Sequence, residues 1–197
     1  MIKNIFKHLK RVCIHKYWVA YYCFKCGLYW QGLVHDLSKF SWIELSESVK
    51  YYDDKISPII KAKEVNGYSM AWLHHKGRNP HHYEYWTTEY DNGTVALKMP
   101  YKYVVELICD WLGAARAYMG SDFSYNKEYT WWITKLTTIP PKMHPDTSEF
   151  ISQVFLMLAV AEDEWENPVV ILNEPRLKHI YELYCSEVWQ SGLSHRS

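Results

Sequence analysis

Apolar residues near the start of the chain recur at Ile2, Ile5, Phe6, Leu9, Val12 and Cys13, three and four apart with lysines between them. That spacing predicts an amphipathic helix over residues 2–26, ended by Gly27. A second helix is expected over 29–37. Ser41, with Glu44 three residues on, has the form of a capping box and opens a third helix running to about residue 52. Ser57-Pro58 starts a short helix that Asn66-Gly67 closes, and Ser69 caps another through His75. Gly77 breaks the chain. Asn79-Pro80 then reads as an N-cap followed by a first-turn proline, which puts His81 and His82 in the first turn of a new helix. Asp91-Asn92-Gly93 is a turn signal, and 94–99 is a loop or at most a short strand pair. Pro100 opens the best-patterned helix, which reaches Met119 with Tyr103, Leu107, Ile108, Trp111, Leu112 and Ala115 inward. Further helices are expected over 129–136, ended by Pro140-Pro141, and from a cap at Asp146 or Thr147 to about 161, packed through Phe150, Val154, Phe155 and Leu158. A last one covers about 175–189. The acidic run Glu162, Asp163, Glu164, Glu166 reads as a solvated face or linker. The fold class is therefore all-α.

With 197 residues, 48% of them hydrophobic, the chain has enough apolar surface for one well-buried domain and lies far from the composition of disorder. Its 22 basic and 22 acidic residues cancel, so no global positive field favours nucleic acid or an anionic membrane. Lys3, Lys7, Lys10 and Arg11 interrupt each apolar run before it reaches the length of a signal-peptide core or a membrane span. Five cysteines, an odd number set mostly in apolar helical runs, fit reduced thiols of a cytoplasmic protein. Cys23 and Cys26 form a C-x-x-C pair, but no second pair completes a zinc site.

Seven of the ten histidines fall between residues 8 and 82. His35-Asp36 stands near a helix end. Neighbours on a helix point about 100° apart, so both reach a metal only at the helix edge, or if the Asp bridges two ions. Glu106 and Asp110, one turn apart, place two carboxylates on a helix otherwise packed with apolar residues, and burying them calls for a cation. Asp110 is the expected ligand and Glu106 the group that orients a ligand histidine. His8, two turns before His15 on the same face, could line the mouth of a site but reads first as a partly exposed surface histidine, and His144 reads as a neighbour of a helix cap. Lys39 and Arg116 are candidates for phosphate contact, and Lys76 and Arg78 could serve equally. Tyr83, Tyr85 and Trp86 are the aromatic residues best placed to stack on a nucleobase.

The order His15, His35-Asp36, a histidine among His74, His75, His81 and His82, then Asp110 resembles the ligand order of the HD-domain superfamily of metal-dependent phosphohydrolases. The string from Gly32 to Lys39 looks like that superfamily's signature helix end. The stretch from His74 to Glu84 is similar to an uncharacterised bacterial and phage family. The resemblance covers roughly residues 7–119. It implies a single HD-like helical bundle over 1–197, with a metal-binding core at about 7–119 and C-terminal helices over 128–190 packed on it. The metal ligands it implies are His15, His35, Asp36, His74, His82 and Asp110, holding one or two divalent transition ions (Fe, Mn, Zn, Ni or Co). Asp36 and Lys39 would be catalytic. Lys39, Lys76, Arg78, His75, His81 and Arg116 would face a small phosphorylated substrate, such as a nucleotide. The implied activity is phosphate-ester hydrolysis; the alternatives are di-iron oxygenase chemistry, as in myo-inositol oxygenase, and non-catalytic ligand binding on the same scaffold.

Overall fold

A computed structural model describes residues 2–53, 55–91, 93–164 and 167–185. Helix α1 (Ile2–Lys25) forms where the spacing predicts it. Its buried stripe, however, is not the one its apolar residues mark. Phe6 and Cys13 are exposed, while His8, Val12, His15, Val19, Tyr22, Cys23 and Cys26 turn inward at helical spacing. The expectation of a surface histidine at residue 8 is corrected by this phase, which carries two histidines toward the interior. Helix α1 lies along α6 (Tyr101–Met119), and the two form the centre of the molecule. Gly113 permits their close approach: a Cβ there would stand 2.5 Å from Val19 Cγ2 and 3.0 Å from the Val19 backbone nitrogen.

Helix α2 (Tyr29–Val34) packs on α1 and stops short of the expected residue 37. His35 is extended and Asp36 left-handed (φ 55°), after which a 3-10 turn over Leu37–Phe40 leads to α3 (Trp42–Lys50). Helices α4 (Pro58–Asn66) and α5 (Met70–Lys76) pack around α3 and in sequence on it. Ser41 and Ser69 accept from Glu44 N and Trp72 N, and Gly67 at φ 82° closes α4, as the sequence predicts. Only half of the capping box exists, because the Glu44 carboxylate turns away to His74 and His75.

The helix expected after Asn79 does not form. The Asn79 side chain donates to the His75 carbonyl (2.7 Å) and to Ser38 Oγ (2.9 Å) instead of capping forward. The chain makes a turn in which His82 N–H donates to Asn79 O, then a 3-10 turn over Tyr83–Tyr85. An antiparallel hairpin follows, β1 (Thr87–Tyr90) with β2 (Gly93–Ala96), Thr87 opposite Ala96. Asn92 of the expected turn lies outside the described residues. Trp86 donates from Nε1 to the Pro80 carbonyl at 2.6 Å and packs on Tyr103, so it braces the bend.

On the other flank, α7 (Tyr125–Lys135), α8 (Pro145–Asp163) and α9 (Glu174–Cys185) cover α6. Helix α7 starts before the expected residue 129 because Ser124 caps it and Glu162 accepts from the N–H groups of Tyr125 and Asn126. Part of the acidic run is thus a cap for a neighbouring helix. Glu166 and the expected helix end near 189 lie outside the described residues. His144 caps α8, its Nδ1 accepting from Asp146 N. Phe150, Val154, Phe155 and Leu158 are buried with Leu107, Ile108, Leu112 and Trp132. Cys23, Cys26 and Cys109 are free thiols in this core. The described residues form an all-α architecture with one small hairpin, and no described helix is long and apolar enough to cross a membrane.

Candidate metal centre

Three segments bring acidic and imidazole groups to one buried point. From α1 comes His15; from the break after α2 come His35 and Asp36; from α6 come Glu106 and Asp110. The break is what aims His35 and Asp36 together. An uninterrupted helix would point them about 100° apart, whereas an extended residue followed by a left-handed one turns both side chains inward. Asp36 is the one non-glycine residue at positive φ among the described residues, a conformation that Asp tolerates better than most. A fourth segment, α5 and the turn after it, delivers His75, His81 and His82.

The ligand atoms fall into two sets that share Asp36. His15 Nε2 lies 3.4 Å from Asp36 Oδ2 and 3.1 Å from Asp110 Oδ1, while His35 Nε2 lies 3.3 Å and 3.2 Å from the same two oxygens. On the other side, Asp36 Oδ1 stands 3.2 Å from His75 Nε2 and 3.4 Å from His81 Nε2, and His82 joins this group. The outer nitrogens are held by carboxylates. His75 Nδ1 donates to Glu44 Oε2 (2.8 Å), and Glu106 Oε1 faces both His35 Nδ1 (3.0 Å) and His81 Nδ1 (3.2 Å). A carboxylate only accepts, so each of these Nδ1 atoms carries a proton; burial disfavours the charged ring, but the carboxylates facing His35 and His75, Asp36 above all, raise both pKa values, that of His75 to about 9. Imidazole nitrogens and carboxylate oxygens thus crowd one another across 3.1–3.4 Å.

That arrangement is the test of fit for a cation. Asp36 Oδ1 and the Nε2 atoms of His15, His81 and His82 are buried with no hydrogen-bond partner, while Asp36 Oδ2 is ion-paired with Lys39. Four carboxylates, Asp36, Glu44, Glu106 and Asp110, are buried together, with Lys39 Nζ 2.5 Å from Asp36 Oδ2 as the ammonium among them. Burial disfavours their charge, yet the surrounding histidines, with Lys39 beside Asp36, hold Asp36 and Asp110 well below the usual carboxylate range. His82 is held neutral by burial and by the neighbouring His81. Ionised carboxylates and a neutral His82 are ligand forms, whereas His35 and His75, with raised pKa values, would give up a proton on binding a metal ion. His15, His35, Asp36 and Asp110 could hold one metal ion, and Asp36, His75, His81 and His82 a second. Imidazole mixed with carboxylate suits first-row transition ions.

A match over residues 4–157 joins the chain to a family described as "Family of unknown function (DUF5662)". The chain belongs to that family. No curated protein and no solved structure matches it. The part of this DUF5662 member that matches carries both ligand sets complete.

The other sequence-predicted residues divide by place. His74 stands outside both sets: its Nδ1 meets Glu44 Oε1 at 2.7 Å, so within the first pair it is His75 that faces Asp36. His81, expected toward substrate, is turned into the cluster with His82, because the turn at Pro80 replaces the expected helix. Arg116 is engaged elsewhere, donating to Tyr22 Oη at 3.0 Å with its guanidinium on Trp18 and Phe123. Lys76 lines a separate hollow with Glu84 and Lys142. Lys39 lines a cavity of about 210 Å³ beside His15 and Asp110, whose walls also include Arg11, Tyr52 and Tyr118. His8 lines it too, its pKa lowered to about 4 by burial and by Lys39. Arg78 lines a second hollow, on the His35 and His81 side, with Trp30 and Lys102. Tyr83 and Trp86 pack against the core and Tyr85 is exposed. Sequence reasoning passed over Glu44 as a partner of His75, and over Lys16, whose Nζ donates to the His35 carbonyl.

Proposed function

We propose that this protein is a metal-dependent phosphohydrolase of the HD kind, acting on a small phosphate ester. The observation that carries the reading is the sharing of Asp36, whose two carboxylate oxygens face two separate sets of buried ligand atoms, those of His15, His81 and His82 without a hydrogen-bond partner. Ions bound there would activate water near neutral pH and draw charge from phosphoryl oxygens. The chain's own residues do the rest. Lys39 presents an ammonium to the 210 Å³ cavity that reaches His15 and Asp110, which favours an anionic ligand at the cluster. Arg11 and His8 extend that polar wall, while Tyr52, Ile59 and Tyr118 offer apolar surface to the rest of the ester. The cavity's size suits a small metabolite. Glu44 and Glu106 hold the Nδ1 atoms of His75, His35 and His81, so their Nε2 atoms stay aimed inward without reorganisation.

Elemental analysis of protein expressed with metals supplied, followed by a phosphate-ester panel, tests this. Wild type is expected to carry a transition metal and release phosphate. Asp36→Asn and His75→Ala should lose metal and turnover together, whereas His74→Ala should keep its metal. Metal-free wild type would sink the reading. Bound iron with substrate-dependent oxygen uptake, and no phosphate release, would replace it with the oxygenase reading.

A further inference from the structure

A further hollow, away from the metal ligands and from the one that Arg78 lines, holds a carboxyl group without a partner. Glu128, on α7, is only 5% exposed, and its carboxylate makes no hydrogen bond or ion pair among the described residues. It borders a hollow of about 390 Å³ between α7, the C-terminal half of α6 and the start of α4. The walls are Trp111, Trp131, Ile60, Ala115 and Met119. Trp111 and Trp131 meet edge to face with ring centres 5.4 Å apart. Lys55 stands exposed at the rim, and no ion pair joins it to Glu128. Burial alone raises the Glu128 pKa to about 7, with no neighbouring charge acting against it. An acid left this way near neutral pH is costly unless something bound to the hollow answers its charge. One carboxylate without a second ligand is a poor metal site. Aromatic faces around it attract an organic cation, and apolar walls accept that cation's body.

We infer that this hollow binds an organic ammonium compound, its cationic nitrogen on Glu128 and its apolar body against Trp111, Trp131 and Ile60. The site is independent of the metal reading, sharing none of its ligand residues. A ligand with an N–H donor would form a charge-assisted hydrogen bond with the carboxylate, which a neutral molecule of the same shape would not.

Titration calorimetry with benzylammonium chloride, in an amine-free buffer at pH 8 with no metal or substrate added, tests it. Saturable binding to wild type is expected, with benzyl alcohol weaker by about tenfold or more. Glu128→Gln should weaken benzylammonium by a similar factor. Ala115→Leu, which fills the hollow without touching the carboxylate, should weaken both compounds and serves as the second variant if Glu128→Gln does not fold. Absence of saturable heat up to about 10 mM, or binding unchanged in both variants, would overturn the proposal. Because the heats are read without metal or substrate, that result leaves the phosphohydrolase reading standing.

Discussion

Replacing Glu128 by Gln should stabilise the protein at pH 8 and do little at pH 4. The folded carboxyl group titrates near pH 7, against 4.5 for the same group in an unfolded chain, and burial is the cause. Below pH 4.5 both states hold the proton and the group contributes nothing. Between 4.5 and 7 the unfolded chain gives up its proton while the folded one keeps it, so stability falls as pH rises. Above 7 the folded protein carries the full cost of a buried anion. The separation of the two values corresponds to about 3 kcal/mol. A glutamine of the same shape removes that cost and leaves a partly desolvated amide, which returns about 1 kcal/mol of it. For a chain of this length the remaining gain is a rise in Tm of roughly 4–8 °C at pH 8. Thermal denaturation of both proteins at pH 4 and pH 8, in amine-free buffer, measures it. Equal differences at the two pH values, or a larger one at pH 4, would refute the assignment of an unpartnered buried carboxylate.

Gly113→Ala should destabilise by up to about 2 kcal/mol, because its Cβ meets Val19 Cγ2 at 2.5 Å and the Val19 backbone nitrogen at 3.0 Å, and overpacking of about 1–3 kcal/mol outweighs the roughly 1 kcal/mol that alanine gains in a helix. Urea denaturation reads it; a more stable variant would show that α1 and α6 have room to separate. Arg116→Ala should cost about 1–2 kcal/mol through loss of its contacts with Trp18, Phe123 and Tyr22, with metal content unchanged. Metal loss in that variant would return Arg116 to the site.

The helices were legible wherever a local rule sufficed. Ser69, Pro58 with Gly67, and the apolar stripe of α8 each depend on a few neighbouring residues, and each appears as read. The failures share a cause, since each concerns a polar residue that answers a distant partner. Glu44 has the position of a capping-box acid, but two histidines across the chain offer its charge more than a backbone N–H does. Asn79 has the form of a cap, yet its amide is taken by the carbonyl of His75 and by Ser38. Helix α1 shows the same thing along its whole length. Counting apolar residues put Phe6 and Cys13 inside, but the buried phase passes through His8 and His15, polar by any scale. The histidines and aspartates of the cluster are among the residues the sequence singles out. Glu44 as their partner is not, nor is the inward turn of His75 in place of His74 or of both His81 and His82, because these depend on Glu44 and Asp36 far along the chain and on the turn after Pro80.

The same reasoning explains why the site is built from breaks. Consecutive ligands such as His35 and Asp36, or His81 and His82, cannot converge from a regular helix, so the chain leaves helical geometry at both points. Leaving it has a cost, a left-handed Asp36 at one break and a turn pinned by Asn79 and Trp86 at the other. The unsatisfied Oδ1 of Asp36 and the Nε2 atoms of His15, His81 and His82 add to that cost. In the metal reading, ligand binding answers all of it at once. Folding and metal occupancy are then linked, and His15 is accommodated on the buried, otherwise largely apolar face of α1 because Asp36 and Asp110 meet it there.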